Sequence, residues 1–107
     1  MMLLMPPIMK NIMDAPPGEK EEFRTLLDMP GLRLQQIVSN GCAGGDWYDQ
    51  KQPEWVMLVR GGAVLRFDPG GDVPLKAGDF LTIPARSRHR VESVSSDAIW
   101  LALHFST

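Results

Sequence analysis

The residues best placed to do chemistry in this sequence are one glutamate, Glu54, and one of two histidines, His89. His89 follows a turn at Gly78, an apolar strand, a strand-ending Pro84 and a short polar loop. An inward carboxylate in a small domain is costly unless it is paired, so Glu54 implies a partner such as His89, an arginine or a metal ion. Either side chain could therefore act as a general base or as a metal ligand.

The segment around His89 resembles the second motif of the cupin superfamily. That motif runs Gly, five residues, Pro, any residue, Gly, two residues and His, and here Gly78, Pro84 and His89 fall on it. Arg86 stands where the family usually has Gly. The end of the first motif, Glu followed six residues later by Gly, is matched by Glu54 and Gly61. The resemblance covers roughly residues 33–105.

The first motif departs from the family pattern just before Glu54. Cupins usually place His-x-His three or four residues upstream, which with the second-motif His and the Glu makes a metal site of three His and one Glu. With a gap of three this sequence has Tyr48 and Gln50, and with a gap of four it has Trp47 and Asp49. The resemblance still implies one divalent ion (iron, manganese, zinc or nickel) held by Glu54, His89 and Gln50, with Asp49 as the alternative to Gln50. The other reading is a His89 hydrogen-bonded to Glu54 or Tyr48 with no ion.

Further residues are candidates for a pocket around Glu54 and His89. His104 shares a strand face with Trp100 and is either a substitute ligand or a core histidine. The alternating arginines beside His89 form either a clamp for a carboxylate or phosphate, or solvated surface charge. The predicted substrate-binding set is Tyr48, Gln50, Arg88, Arg90, Trp100 and His104, with Glu54 and His89 as the catalytic pair.

The elements that must position these residues are predicted to be strands. Beyond residue 32 apolar residues alternate with polar ones in short runs, broken by turn residues every eight to twelve positions, which indicates a sandwich or small barrel. We predict strands near 33–39, 45–50, 55–60, 63–68, 73–76, 80–83, 89–93 and 98–105, with a two-residue hairpin at Gly61-Gly62 and a further hairpin at Pro69-Gly70-Gly71-Asp72.

The first part of the chain carries a different pattern. Acidic residues followed by Phe23, Leu26 and Leu27 at helical spacing predict a short helix over 18–29, ended by Pro30-Gly31. Four of the seven Met lie in the first nine residues and predict an N-terminal arm over 1–17. The expected fold is thus all-β, a small jelly-roll barrel with a short helix and arm, its single domain spanning 18–107.

Composition limits the range of functions. Eleven Lys and Arg against thirteen Asp and Glu give a net charge of −2, so neither nucleic acid nor a membrane is expected as a partner. The single cysteine, Cys42, and the lack of a signal-peptide pattern favour the cytoplasm. Phosphate-loop, dinucleotide-binding and nucleophile-elbow motifs are absent from the sequence.

These observations together predict a small-molecule-binding cupin-like protein. Whether it is an enzyme stays open: one reading is a metal-dependent enzyme acting on a small polar or anionic substrate inside the barrel. The alternative is a non-catalytic cupin that senses or stores a ligand, or serves as a structural dimer without metal. The family resemblance and the Met-rich arm together predict a homodimer.

Overall fold

Eight antiparallel strands form the body of the protein in a computed structural model, which describes residues 6–16, 18 and 20–106. The strands are β1 Glu22–Met29, β2 Leu32–Val38, β3 Glu54–Arg60, β4 Gly62–Phe67, β5 Gly71–Lys76, β6 Phe80–Ile83, β7 His89–Val94 and β8 Ile99–Phe105. Seven of the eight predicted strands are confirmed, with ends within two residues of those expected. The exception is the segment 45–50, in which only Tyr48 makes an isolated bridge, to His89.

The strands build two sheets that face each other, which confirms the all-β jelly-roll prediction. One sheet has five strands in the order β1-β2-β8-β3-β6, and the other has three in the order β5-β4-β7. Because successive side chains of a strand point to opposite faces, every second residue enters the space between the sheets. The resulting core is apolar and comprises Val56, Leu58, Ala63, Leu65, Leu75, Ile83, Ala98, Trp100 and Ala102.

The predicted helix over 18–29 is wrong, because residues 22–29 form strand β1. Its backbone pairs antiparallel with β2, from Glu22 opposite Val38 to Met29 opposite Leu32. Pro30 and Gly31, the latter with φ +77°, make the tight turn between the two strands. A short helix is marginal by itself, so this ladder of backbone hydrogen bonds overrides the helical spacing of the apolar residues. Those residues are largely exposed on an edge strand.

The predicted hairpin at Gly61-Gly62 is also wrong, because β3 and β4 belong to different sheets. Gly61, with φ +89°, instead turns the chain from one sheet to the other. A Cβ atom on Gly61 would lie 2.3 Å from Ser95 Oγ and 2.9 Å from the Cα of Ala98, so this corner is packed closely against the loop before β8. The hairpin predicted near Gly70-Gly71 is confirmed by the antiparallel pairing of β4 with β5.

Part of the predicted arm crosses the outer face of the five-stranded sheet. Ala15 is buried with Val38 and Ile99, and Ile12 packs against them. The side chain of Gln36 donates a hydrogen bond of 2.6 Å to the carbonyl of Ile12. Residues 1–5, with three of the methionines, lie outside the described residues, and the domain boundary at 17 stays a prediction. No helix in the described part of the chain is long and apolar enough to cross a membrane.

Candidate functional site

A row of polar side chains crosses the inner face of the large sheet at one end. Glu54 of β3 pairs with His104 of β8, His104 pairs with Arg33 of β2, and Arg33 pairs with Asp28 of β1. Cross-strand partners share a face, so these four residues lie side by side. The next inward rows carry Val56 and Trp100, and the polar end of the barrel therefore passes directly into its apolar core.

An open cavity of about 280 Å³ occupies the space between the sheets at this end. Its walls combine apolar side chains with polar groups of both charge signs, as is usual for a small-molecule site. The lining residues are Glu21, Phe23, Arg33, Gln35, Ile37, Tyr48, Gln50, Glu54, Val56, Leu65, Ile83, His89, Val91, Trp100 and His104. All predicted pocket residues other than Arg88 and Arg90 are in this set.

Glu54 and His104 contact each other in the cavity wall. The Oε2 atom of Glu54 lies 3.2 Å from Nδ1 of His104. Glu54 is only 8% exposed, which would be costly for an unpartnered carboxylate. The side chain that contacts Glu54 is His104, directly opposite it on the neighbouring strand, and not the His89 or arginine named from the sequence.

His89 is held in a fixed orientation in the other wall. Its Nδ1 lies 2.7 Å from the carbonyl oxygen of Ser87, and because a carbonyl only accepts hydrogen bonds, Nδ1 must carry the proton. In the neutral ring, Nε2 is then a free acceptor. The imidazole is stacked on Tyr48, at 5.6 Å between ring centroids, and packs against Phe67 at 5.7 Å.

The segment 40–50 supplies Tyr48 and Gln50 to the cavity without forming a strand. Tyr48 and His89 exchange two backbone hydrogen bonds of 2.7 and 3.1 Å, and the carbonyl of Gln50 accepts one of 2.7 Å from the amide of Arg86. Arg86 has φ +63°, a left-handed conformation that favours glycine. The arginine that replaces the motif glycine therefore keeps the glycine-like backbone, and this backbone binds the segment that carries Gln50.

Arg88 and Arg90 lie outside the cavity lining. Their guanidinium carbons are 4.6 and 4.7 Å from the ring centroid of Trp47, where cation–π attraction holds them. Arg88 also forms an ion pair with Asp68, and Arg90 forms one with Glu92, both at 3.0 Å. The clamp predicted from the arginine stripe stays a prediction, since these contacts occupy both groups on the surface.

Burial and nearby carboxylates raise the pKa of two groups in the cavity wall, Glu21 and Tyr48. Burial raises the pKa of Glu21. Burial also raises the pKa of Tyr48, and the nearby charges of Glu21, Glu54 and Asp46 raise it further. The Tyr48 hydroxyl consequently remains a proton donor at neutral and mildly alkaline pH.

Nine lining residues were not predicted for the pocket, and four of them come from the region of β1 and β2: Glu21, Phe23, Arg33 and Gln35. Glu21 and Phe23 were assigned to the helix that proved to be a strand. For β2 the signal was present, because Arg33, Gln35 and Ile37 alternate on one face, and Ile37 marks that face as the inner one.

The carboxylate and imidazole side chains of the cavity fit a metal ion poorly when taken by themselves. Nowhere in the described ranges do three His, Cys, Asp or Glu side chains lie close enough to hold an ion. Glu54 already faces His104, and Asp49 lies 3.6 Å from Arg86 in an exposed ion pair. A metal held by Glu54 and His89 would need the amide of Gln50 to complete it, which is a poor donor set for zinc, iron or nickel. The metal set stays a prediction, and no chemical step below depends on it.

Comparison with known proteins identifies the family of this chain and several similar structures. The model of the family described as "Cupin domain" matches residues 34–104. The chain is similar to the crystal structure of a "putative mannose-6-phosphate isomerase" from Ralstonia eutropha JMP134, with 38% identity, a TM-score of 0.86, and coverage of 94% of this chain and 100% of that chain.

Two more distant structures show the same fold. A cupin superfamily protein from Desulfitobacterium hafniense DCB-2 is 15% identical with a TM-score of 0.74, covering 87% of this chain and 84% of that one. KdgF from Halomonas sp. is 15% identical with a TM-score of 0.70, covering 84% and 83%. A search of curated proteins gave no match.

Proposed function

This chain belongs to the cupin domain family, and from that premise we propose that it binds a small polar, anionic compound inside its barrel, of the phosphorylated-sugar class. One observation carries the proposal: an apolar cavity of about 280 Å³ ends in the paired Glu54 and His104, with His89 in the facing wall. Eight of the fifteen lining side chains are polar or charged, and they carry groups of both charge signs, which suits a small ligand with several hydroxyl groups and an anionic group.

The 38% identical relative supports this substrate class. The similarity covers that whole protein and almost all of this chain, so the two barrels correspond along their length. That relative is named for a reaction on mannose 6-phosphate, and we extend the class, a phosphorylated sugar, to this chain. The specific sugar is the first compound to be tested.

The site contains the groups that an aldose–ketose isomerisation needs. In that reaction a base removes the proton from the carbon beside the carbonyl, and the proton returns to the neighbouring carbon through an enediol, with no oxidant or reductant. Glu54 is the proposed base, because His104 holds its carboxylate in place at 3.2 Å. Nε2 of His89 is the proposed group that takes the proton from the C2 hydroxyl of the substrate and delivers it to the carbonyl oxygen at C1, so that the proton transfers balance.

Proton exchange tests the enzymatic form of the proposal. Incubated with mannose 6-phosphate in D2O, the protein is expected to incorporate deuterium at C2, as read by NMR, and Glu54→Gln should lower the rate by about 100-fold or more. Glu22→Gln, on the exposed β1 strand, is the matched control and should not change the rate. Binding without exchange in the wild type would reject this form.

Binding without catalysis is the second candidate, and the close contact between Glu54 and His104 favours it. A carboxylate held by a histidine can simply accept hydrogen bonds from ligand hydroxyls. Titration calorimetry with mannose 6-phosphate, combined with metal analysis of the same preparation, separates the candidates. Binding with no exchange and no stoichiometric metal supports the non-catalytic form. Stoichiometric iron, manganese, zinc or nickel that Glu54→Ala with His89→Ala removes would establish the metal-dependent enzyme instead.

We also propose a homodimer and a cytoplasmic location. The edge strand β1 exposes large apolar side chains, among them Leu27 and Met29, and an exposed apolar edge strand supports association with a second copy. Analytical ultracentrifugation should show a dimer, and the charged substitutions Leu27→Glu and Met29→Glu, which lie away from the cavity, should dissociate it. A monomer in the unmodified protein would reject the proposal.

A further inference from the structure

Arg33 is a cation in the cavity wall that has no acidic partner among the residues the structure describes. Among residues 6–16, 18 and 20–106, no carboxylate lies within salt-bridge distance of its guanidinium, whereas five other arginines each have one: Arg24, Arg66, Arg86, Arg88 and Arg90. Arg33 is also exposed, and it lies in the polar row between His104 and Asp28. Its five N–H donors are therefore available to a ligand.

Arg33 stands at the boundary between two spaces. It lines the inner cavity and also a shallow depression of about 260 Å³ outside it, and His104 likewise lines both. The depression is formed largely by the Met29–Leu32 turn and the end of β8, and it includes the polar side chains of Asp28, Gln52 and Ser106. A ligand whose carbon skeleton fills the cavity would thus present its outer end to Arg33.

We propose that Arg33 binds the anionic group of the ligand, a phosphate or a carboxylate, in this depression, while the sugar part lies in the cavity. The inference rests on the proposed function and deepens it by naming the residue that selects a charged ligand. A guanidinium binds such groups through two parallel N–H donors. The carboxylate of Asp28, opposite Arg33, repels an anion bound there, and the more distant Glu21 does so more weakly. The carboxylate of Glu54 instead contacts His104.

Substitutions at Arg33 and Asp28 make opposite predictions. Arg33→Gln should weaken binding of mannose 6-phosphate by about 10-fold or more in calorimetry, since hydrogen bonds to charged groups are among the stronger ones. Arg33→Lys should recover part of the loss, and Asp28→Asn should strengthen binding, since it removes a repelling charge. Arg24→Gln is the matched control, because Arg24 lies on the neighbouring strand and pairs with Glu22.

The choice of ligand distinguishes the outcomes. Mannose should bind equally to the wild type and Arg33→Gln, whereas mannose 6-phosphate and mannuronate report on phosphate and carboxylate separately. If the wild type binds mannose 6-phosphate and Arg33→Gln binds it equally well, Arg33 is not the anion site. A wild type that binds none of the three sugars rejects the proposed function itself, and the inference with it.

Discussion

Arg86 is the residue at which this chain departs from its family motif and yet keeps the motif's backbone. Among the described residues it is the non-glycine residue with a positive φ, +63°. Its amide donates to the carbonyl of Gln50, so the conformation fixes the segment that lines the cavity. Glycine adopts this conformation without steric cost. Arg86→Gly should therefore stabilise the protein.

Three contributions determine how much Arg86→Gly changes the free energy of unfolding. Relief of the left-handed conformation stabilises by about 1–2 kcal/mol. The greater freedom of glycine in the unfolded chain costs about 0.4–1 kcal/mol. The exposed ion pair between Arg86 and Asp49, at 3.6 Å, contributes at most about 0.5 kcal/mol when both side chains are this exposed. The net gain is roughly 0.5 kcal/mol, and it should exceed the result for Arg86→Ala by about 1 kcal/mol, since alanine keeps the strain.

Thermal and urea unfolding of the two variants measure this difference. A gap of about 1 kcal/mol corresponds to roughly 4–8 °C in Tm for a domain of this size. Ala85→Gly is the matched control, because Ala85 precedes Arg86 in the same exposed loop and has no positive φ, so glycine there should destabilise by about 0.4–1 kcal/mol. An Arg86→Ala variant as stable as Arg86→Gly would refute the reasoning.

Three further predictions follow from the same geometry. Gly61→Ala should lose about 2–5 kcal/mol of unfolding free energy, from its left-handed backbone and from the clash with the loop before β8. Gly78→Ala, with φ +96° and open space around it, should lose only about 1–2 kcal/mol, and equal losses would contradict the packing argument. Trp47 contacts Arg88 and Arg90 and should hold the neighbouring Tyr48 in place, so Trp47→Ala should speed hydrogen exchange of the Tyr48 amide and weaken ligand binding. Trp55→Ala, on the outer sheet face, should leave both unchanged. Equal exchange rates in the two variants would reject this role of Trp47. Ultraviolet titration reads Tyr48 alone, as the sequence has one tyrosine, and should give a pKa above the ordinary 10.0. A raised folded-state pKa makes stability fall as pH rises above the unfolded value, so Tyr48→Phe should flatten that alkaline loss, and an unchanged slope would count against the assignment.

Most of the barrel was predictable because its strands alternate clearly and are separated by turns. Period-two patterns set the inner face of β3, β4 and β8, and the motif spacing placed Glu54 and His89 in one cavity. The β1 strand could not be predicted, since its exposed apolar residues fit a helix and its pairing with β2 is a tertiary contact. The hairpin at Gly61-Gly62 was predicted wrongly for a related reason, because a turn that leads from one sheet to the other and a hairpin turn favour the same types of residue.

The arginines show why a site cannot be read from charge along the sequence. Arg88 and Arg90 flank the motif histidine in the sequence, but neighbouring residues of a strand point to opposite faces. Both arginines therefore contact Trp47 and surface carboxylates instead of lining the cavity with His89. Arg33 is 56 positions from His89 in sequence, but the order β2-β8-β3 places it one strand from His104 and two from Glu54. Register thus brings together a base, its histidine and a cation without an acidic partner among the described residues. Only pairing between distant strands creates that combination, and the proposed binding of a small anionic ligand depends on it.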